Sequence, residues 1–445
     1  MKLDTSYKQI LTISLPIMLG SAAQNIIVLS DSFFLVRNDS LDFAAIGLVG
    51  IFYLLVASIG YGFSRGGQVL MARRYGERND RGLGRYFQSL VIFELIIALI
   101  IFASIHLFAP SFFKSITRDP EIYKRCIEYL IPRSYGIFFS YLGVSIIALY
   151  TSIARTKFIV IDTVILTVTN LVLDYILIFG AFGVESMGVK GAAIASTIAE
   201  IVAFVSFVIY MFYDKKIRPF QLLHFSKLPF DRISETFRIS MPIVFQSMLG
   251  LGVWFIFFAW IENRSSHELE VSNLIRNLYL ILSIPCWGFS AGINTLVSNF
   301  IGNNKRFAVV PIIKKTAILS TVVTLALSMV ILFFPFQILT PLVGRENLVI
   351  IQSAIPLLPL LVFILIAFNL GGIYMNGLIG TGHTVTALWI QFIFSMVYLV
   401  YSYYVIKVWN LSLNAAWFSE AIYWIGIGIM VAIYLNSKKW YERKF

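Results

Sequence analysis

The chain has 445 residues, of which 58% are hydrophobic and 13% charged, about half the charged share of a soluble domain. That balance excludes a water-soluble globule of this length. The formal charge of +12 comes with no basic helix interleaved with stacking aromatics, which excludes nucleic acid as its reason; loops at a membrane surface account for it.

Apolar runs of roughly 20 residues bounded by charges are long enough to cross a bilayer. In chain order they fall near 10–35, 43–70, 86–110, 127–152, 159–180, 190–212, 237–261, 270–300, 310–335, 350–378, 384–407 and 414–436. Backbone polar groups in lipid must be satisfied internally, so these runs predict helices. The expected fold is an all-α polytopic membrane protein with twelve transmembrane helices. The first run, with Lys2 before it and Ser-Ala-Ala at 21–23, has the outline of a signal peptide. Its continuation past position 30 and its match to a later segment favour a span. With a cytoplasmic N-terminus, 23 Lys and Arg fall on the cytoplasmic side and 9 opposite, leaving Arg65, Arg133 and Arg276 inside spans. That bias places both termini in the cytoplasm, with the chain crossing a bacterial inner (plasma) membrane.

Cys126 and Cys286 have no CxxC spacing, and His106, His224, His267 and His383 are scattered. Neither a disulfide framework nor a metal centre is indicated. The HExxH and GxxxxGK[ST] patterns are missing, so the expectation is no ATP engine, no cofactor and no enzyme chemistry.

The chain repeats itself. YGFSRGGQVLMARRYGERN at 61–79 meets WGFSAGINTLVSNFIGNNK at 287–305, with Gly62, Phe63, Ser64, Gly66, Leu70 and Gly76 recurring 226 residues later. ISLPI at 13–17 meets ISMPI at 239–243, and SIARTK at 152–157 meets LIGTGH at 378–383, at the same offset. Two six-helix halves are expected, residues 1–212 and 237–445, joined by a cytoplasmic linker at 213–236. Six spans is an even number, so both halves enter the membrane in the same direction. A pseudo-two-fold axis along the membrane normal should relate them, with a central cleft suited to alternating access. Pro16 and Pro242 are matched prolines inside the first helix of each half, each expected to kink it. The glycines of GFSRGG and GAAIAS permit close helix packing.

Ionisable residues in hydrocarbon are expensive and usually functional. Asp31 sits late in the first span. Asn170 and Asp174 lie one turn apart in the fifth, on one helix face. Two carboxylates and an amide oxygen suit a proton or a hard cation such as Na⁺. At the constant offset Asp31 maps to Phe257 and Asp174 to Val400, so the second half lacks these acids; Glu420 in the last span is its main acidic candidate. Glu94 and Glu200 read as satisfied interhelical contacts. Arg65 either snorkels to the cytoplasmic face or meets an anionic substrate group.

LPIML with Asp31 downstream, AAIGLVG, GFSRGGQVLMARRYGERND, NLVLDYILIFG and MGVKGAAIAS, in that order along the whole chain, resemble the multidrug and toxic compound extrusion (MATE) transporters. The resemblance implies twelve helices in two pseudo-symmetric lobes and export by Na⁺ or H⁺ antiport. In the prokaryotic branch with an N-lobe ion site, the matching positions are Asp31, Asn170, Asp174 and a sixth-helix hydroxyl, Ser196 or alternatively Thr197. Another branch uses a seventh-helix glutamate eight residues after the proline, where this chain has Gly250. Arg37 and Arg65 depart from the family pattern. The implied function is secondary active multidrug export, with small amphipathic, often cationic substrates in a cleft contacted by Gln24 and Asp31, and with Arg65 and Glu420 as further cleft candidates. The expected protein is a monomer in the bilayer. The rival reading is a flippase for lipid-linked anionic precursors of polysaccharide or cell-envelope type, with Arg37, Arg65 and Arg276 holding phosphate.

Overall fold

The structure is a computed structural model. It describes residues 5–441 except 39, 118, 223–229, 344–347 and 438; within helices, the side chains at 23–26, 28–33, 36–38, 40, 43, 44, 51, 230, 341–343 and 439 also lie outside the described set. Among the described residues every regular element is helical. The first half holds α1 (Tyr7–Asn38), α2 (Ser40–Gly76), α3 (Asp80–Ile116), α4 (Pro120–Ser152), α5 (Lys157–Phe179) and α6 (Gly188–Tyr213). The second holds α7 (Phe230–Glu262), α8 (Ser266–Leu282), α9 (Ile284–Gly302), α10 (Val309–Phe333), α11 (Pro335–Val343), α12 (Leu348–Ala354), α13 (Leu358–Gly380), α14 (Thr384–Tyr403) and α15 (Leu413–Asn436).

Each of the twelve apolar runs falls on one helix or a broken pair. Ten helical spans are long and apolar enough to cross a membrane, and α8 with α9 makes an eleventh bent by 43°. The remaining run is α1, 32 residues long. The bend within the 270–300 run comes at Ser283, two residues before Pro285, whose missing N–H interrupts the helical ladder. Helix starts follow local chemistry. Asn79 accepts from the Gly82 amide at 2.8 Å ahead of α3, and Asp119 accepts from Glu121 at 2.8 Å ahead of α4, with Pro120 beginning the helix. Gly180, at φ 75, ends α5 in the left-handed conformation.

The duplication is visible in the packing. In the first half α4 packs on α2, α3 and α6, while α2 meets α3 and α5 meets α6. In the second half α13 packs on α9, α10 and α15, while α9 meets α10 and α14 meets α15. These are the same five helix pairs in equivalent places.

The compact units are shifted from the sequence halves. One comprises Leu19–Val244, the other Met1–Met18 with Phe245–Phe445. The divisions fall inside α1 and α7, two residues after Pro16 and two after Pro242. Matched glycines explain the shift. A Cβ on Gly66 would lie 2.7 Å from Ser240 Cα, and one on Gly62 3.1 Å from Val244 Cα. A Cβ on Gly288 would lie 3.0 Å from Met18 N, and one on Gly292 2.3 Å from Ser14 Oγ. Gly62/Gly288, Gly66/Gly292, Ser14/Ser240 and Met18/Val244 are all 226 residues apart. The recurring GFSxxG motif is therefore a socket in each unit for the start of a proline-bearing helix. In the Leu19–Val244 unit the socket is reinforced by Ser240 donating to the Phe63 carbonyl at 3.0 Å and by Phe93 packing on Phe63 and Phe237.

The linker expected at 213–236 is partly ordered helix. A 3-10 turn at Lys215–Phe220 follows α6, and α7 begins at Phe230.

Candidate functional site

α5 buries one polar face. Thr163, Thr167, Asn170 and Asp174 are 6%, 8%, 1% and 0% exposed, spaced by four, three and four residues, the repeat of a helix stripe. Thr163 and Thr167 donate to the carbonyls of Ile159 and Thr163, at 2.7 and 2.8 Å. This satisfies the hydroxyl hydrogens within the helix and leaves their lone pairs on the face. Asn170 Nδ2 donates to Ser196 Oγ on α6 at 3.3 Å. Asn170 Oδ1 is buried and has no hydrogen-bond partner among the described residues. A buried acceptor in that state costs about 1–3 kcal/mol, which a cation or a donor placed there would offset.

The structure separates the two hydroxyl candidates. Ser196 faces Asn170, whereas Thr197 Oγ1 donates across to the Pro132 carbonyl of α4 at 3.1 Å. Asp31 and Gln24 lie on α1 and Arg37 near its end, but their side chains fall outside the described residues. Arg65 is half-buried on α2, between Ser64 and Gly66 of the socket. Arg276 stacks on Phe258, 4.9 Å from the ring centroid.

Glu200 and Glu94 are both interhelical contacts. Arg133 of α4 grips Glu200 of α6 with two hydrogen bonds of 2.6 Å and lies 4.3 Å over the Tyr53 ring. Ser64 donates to Glu94 at 3.0 Å between α2 and α3. Sequence reading missed Asp162, which is 7% exposed and accepts from Ser206 of α6 at 3.3 Å. It also missed Asp42, which is fully buried, ion-paired to Arg125 and accepting from the Val189 amide at 3.2 Å. Asp162 carried a signal, an acid only five residues past Lys157 in an apolar run. Asp42 carried none, because its partners are distant in sequence.

The second unit needs a correction of register. At the constant offset of 226, Asp174 falls on Val400, which is 57% exposed. The burial pattern instead matches at 228. α5 buries Ile159, Asp162, Thr167, Asn170, Asp174 and Ile178; α14 and its π-helical extension bury Ala387, Ile390, Ser395, Tyr398, Ser402 and Ile406. On the next helix the match is at 224. α6 buries Ala192, Ala195, Ser196, Ala199, Ala203 and Phe207; α15 buries Ala416, Ser419, Glu420, Tyr423, Ile427 and Val431. Two residues gained before α14 and four lost before α15 account for both shifts. Asn170 and Ser196 are thus equivalent to Tyr398 and Glu420, and Asp174 to Ser402.

Glu420 is 2% exposed and accepts from Trp254 Nε1 at 2.5 Å, with Tyr398 and Trp424 facing the same carboxylate. Phe257, Trp417 and Tyr423 close the shell, through ring contacts of 5.6 to 5.9 Å along Trp417–Phe257–Tyr398–Tyr423. It sits in the interior of its own unit.

Comparison with known proteins fits this arrangement. The MatE family model matches residues 16–176 and again 242–404, so its two copies begin 226 residues apart. A protein of Thermotoga maritima called "probable multidrug resistance protein NorM" is 25% identical over 98% of this chain and 93% of its own length. A like-named protein of Photorhabdus laumondii is 23% identical over 77% of this chain and 76% of its own. Among solved structures, an outward-facing multidrug resistance MATE family transporter of the MOP superfamily superposes with TM-score 0.90 at 18% identity, covering 98% of this chain and 97% of that one. A MOP superfamily transporter from Pyrococcus furiosus, described as having a binding pocket of reverse polarity, superposes with TM-score 0.87 at 19% identity, covering 97% and 95%. With the family model matched in both halves, this multi-pass membrane protein belongs to the MatE family of multidrug and toxic compound extrusion transporters.

Proposed function

We propose that the chain is a secondary active multidrug exporter. It moves amphipathic, often cationic compounds outward by alternating access while H⁺ or Na⁺ enters, and Asp31, Asn170, Asp174 and Ser196 hold the ion. The observation that carries this reading is the buried Asn170–Ser196 contact one turn from buried Asp174, with Asn170 Oδ1 open to a donor or cation. Carboxylate, amide and hydroxyl oxygens are the ligands a hard cation takes. The same carboxylate is the group that takes a proton.

Occupancy of the site neutralises Asp174, and the free energy of that event differs between conformations that expose it and those that bury it. Such a difference is what shifts an alternating-access equilibrium. The divisions after Pro16 and Pro242 give the chain a bending point in each proline-bearing helix. Both termini face the cytoplasm of a bacterial inner membrane in this reading, supported by the 23-to-9 bias of basic residues, and a single chain suffices. The multidrug resistance names of the relatives favour drug export over flipping of lipid-linked precursors.

The test is ethidium efflux in a drug-sensitive bacterial strain at matched membrane levels of wild type, Asp31→Asn and Asp174→Asn, with Na⁺ and pH varied. Extrusion by wild type and failure of both variants supports the proposal, and the ion dependence names the coupling cation. Normal pumping by the variants refutes the site. No extrusion by wild type refutes drug export.

A further inference from the structure

α3 and α6 both pack on α4. Between them they leave a groove of about 870 Å³, floored by Leu142 and Ile146 of α4 and walled by apolar side chains such as Val91 and Val208. It runs from Phe87 to Leu95 along α3, eight residues or about 12 Å. The 3-10 turn Lys215–Phe220 and the residues after it close one end.

We propose that this groove holds an anionic phospholipid of the leaflet that the 213–236 linker faces, its acyl chains between α3 and α6 and its phosphate at Arg218. Three features argue for it. First, the walls are apolar over their full length, and the cationic group among the lining residues, Arg218, is at the end where α6 stops and α3 starts. That is the polarity of a lipid standing in a bilayer, with its head at the boundary and its tails inward. A water-borne solute would find no polar partners along the walls.

Second, Arg218 is exposed beside exposed Lys215 and Lys216, and none of the ion pairs among the described residues includes it. Basic residues at a helix-bundle mouth attract anionic headgroups, by about 1 kcal/mol each, and the planar guanidinium matches phosphate oxygens. Third, the turn that carries Arg218 is rigid. Asp214 caps it at the Lys216 amide, 3.0 Å away, and is ion-paired to Arg155. Gln88 donates to the carbonyls of Gln221 and Leu222 at 3.2 and 3.1 Å. Gly84 leaves so little space that a Cβ there would meet the Phe220 carbonyl at 1.9 Å. Arg218 is thus held at the mouth of the groove by contacts that do not engage its own charge.

The experiment is native mass spectrometry of the intact chain in dodecyl maltoside with equimolar phosphatidylglycerol and phosphatidylcholine of identical chains. Wild type should retain phosphatidylglycerol in preference. Arg218→Ala should reduce that preference about fivefold, the effect of one lost charge contact. Val208→Trp should lower occupancy by both lipids while keeping the headgroup preference of what remains; Leu142→Phe is the second filling variant should Val208→Trp fail to fold. Inorganic phosphate at millimolar concentration should leave the lipid adducts in place. Equal retention of the two lipids by wild type, an unchanged ratio in Arg218→Ala, undiminished occupancy in a folded filling variant, or displacement by inorganic phosphate would each overturn the proposal. The readout involves no transport, so it stands or falls apart from the efflux test.

Discussion

The two units share a scaffold and differ in where they keep an acid. In the Leu19–Val244 unit the carboxylate comes from α5, at Asp174, and the neighbouring α6 supplies the Ser196 hydroxyl. In the other unit the equivalent of Asp174 is Ser402, the equivalent of Asn170 is Tyr398, and the carboxylate has moved to Glu420, in the place of Ser196. The acid therefore changed helix while the pair of helices stayed the same. The surroundings changed with it. Asp174 lies on a stripe of amide and hydroxyl oxygens, whereas Glu420 lies among indole and phenol rings that donate to it. Oxygen lone pairs favour an incoming cation, whereas donors already aimed at a carboxylate satisfy it without one. The difference assigns ion coupling to the first unit and a structural or proton-holding role to the second.

That contrast is open to attack in order of expected effect. Asp174→Asn should reduce dye efflux to the level of cells lacking the protein, and Glu420→Gln should leave measurable efflux. The reverse ranking, in the same strain at equal membrane levels, would move the coupling site to the second unit. Arg133→Leu should destabilise the protein by about 3–5 kcal/mol, because it strands Glu200 in the interior. The double change Arg133→Leu with Glu200→Leu should recover most of that loss, read by thermal unfolding in detergent. The ion pair has no counterpart in the second unit, where the residue equivalent to Glu200 is Trp424, so its loss probes one unit alone.

Smaller changes test the equivalences. Gly66→Ala and Gly292→Ala should each cost about 1–3 kcal/mol through overpacking, and by similar amounts if the two sockets do the same job. A large inequality, measured by unfolding, would show that one socket matters more. Ser196→Ala should weaken ion dependence by a few-fold at most, since it removes one neutral ligand, whereas Thr197→Ala should leave ion dependence unchanged because its hydroxyl bonds α4. An ion titration of efflux that ranks Thr197→Ala above Ser196→Ala would reverse the assignment of the two hydroxyls.

Much of the architecture was legible in the amino-acid order. Membrane helices declare themselves by length and hydropathy, and each of the twelve runs falls on helix. The Pro16/Pro242 and GFSxxG repeats were visible as well, because the parts of a duplicated chain that grip each other change together or not at all. What the glycines grip was not legible: Gly66 meets Ser240, more than 170 positions away, in a helix that begins the other half. The constant offset also misled. Loops tolerate insertions that helices do not, so the register slid before α14 and slid back past its origin before α15. Only the burial pattern recovers it, moving the partner of Asp174 from Val400 to Ser402. The buried pairs Arg125–Asp42 and Arg133–Glu200 join residues 83 and 67 positions apart, a separation at which a single sequence carries no pairing signal.

The crossed ownership of α1 and α7 has a consequence for biosynthesis. Ser14 and Met18 are made first, yet the socket that receives them includes Gly288 and Gly292. The start of α1 must therefore wait, uncommitted, through the synthesis of the whole first unit. That unit in turn is incomplete until Ser240 and Val244 have emerged. Neither half of the gene encodes a finished folding unit, and a nascent chain stalled at the linker would expose two narrow glycine-lined grooves' worth of unmet packing: one socket empty and one helix without its seat.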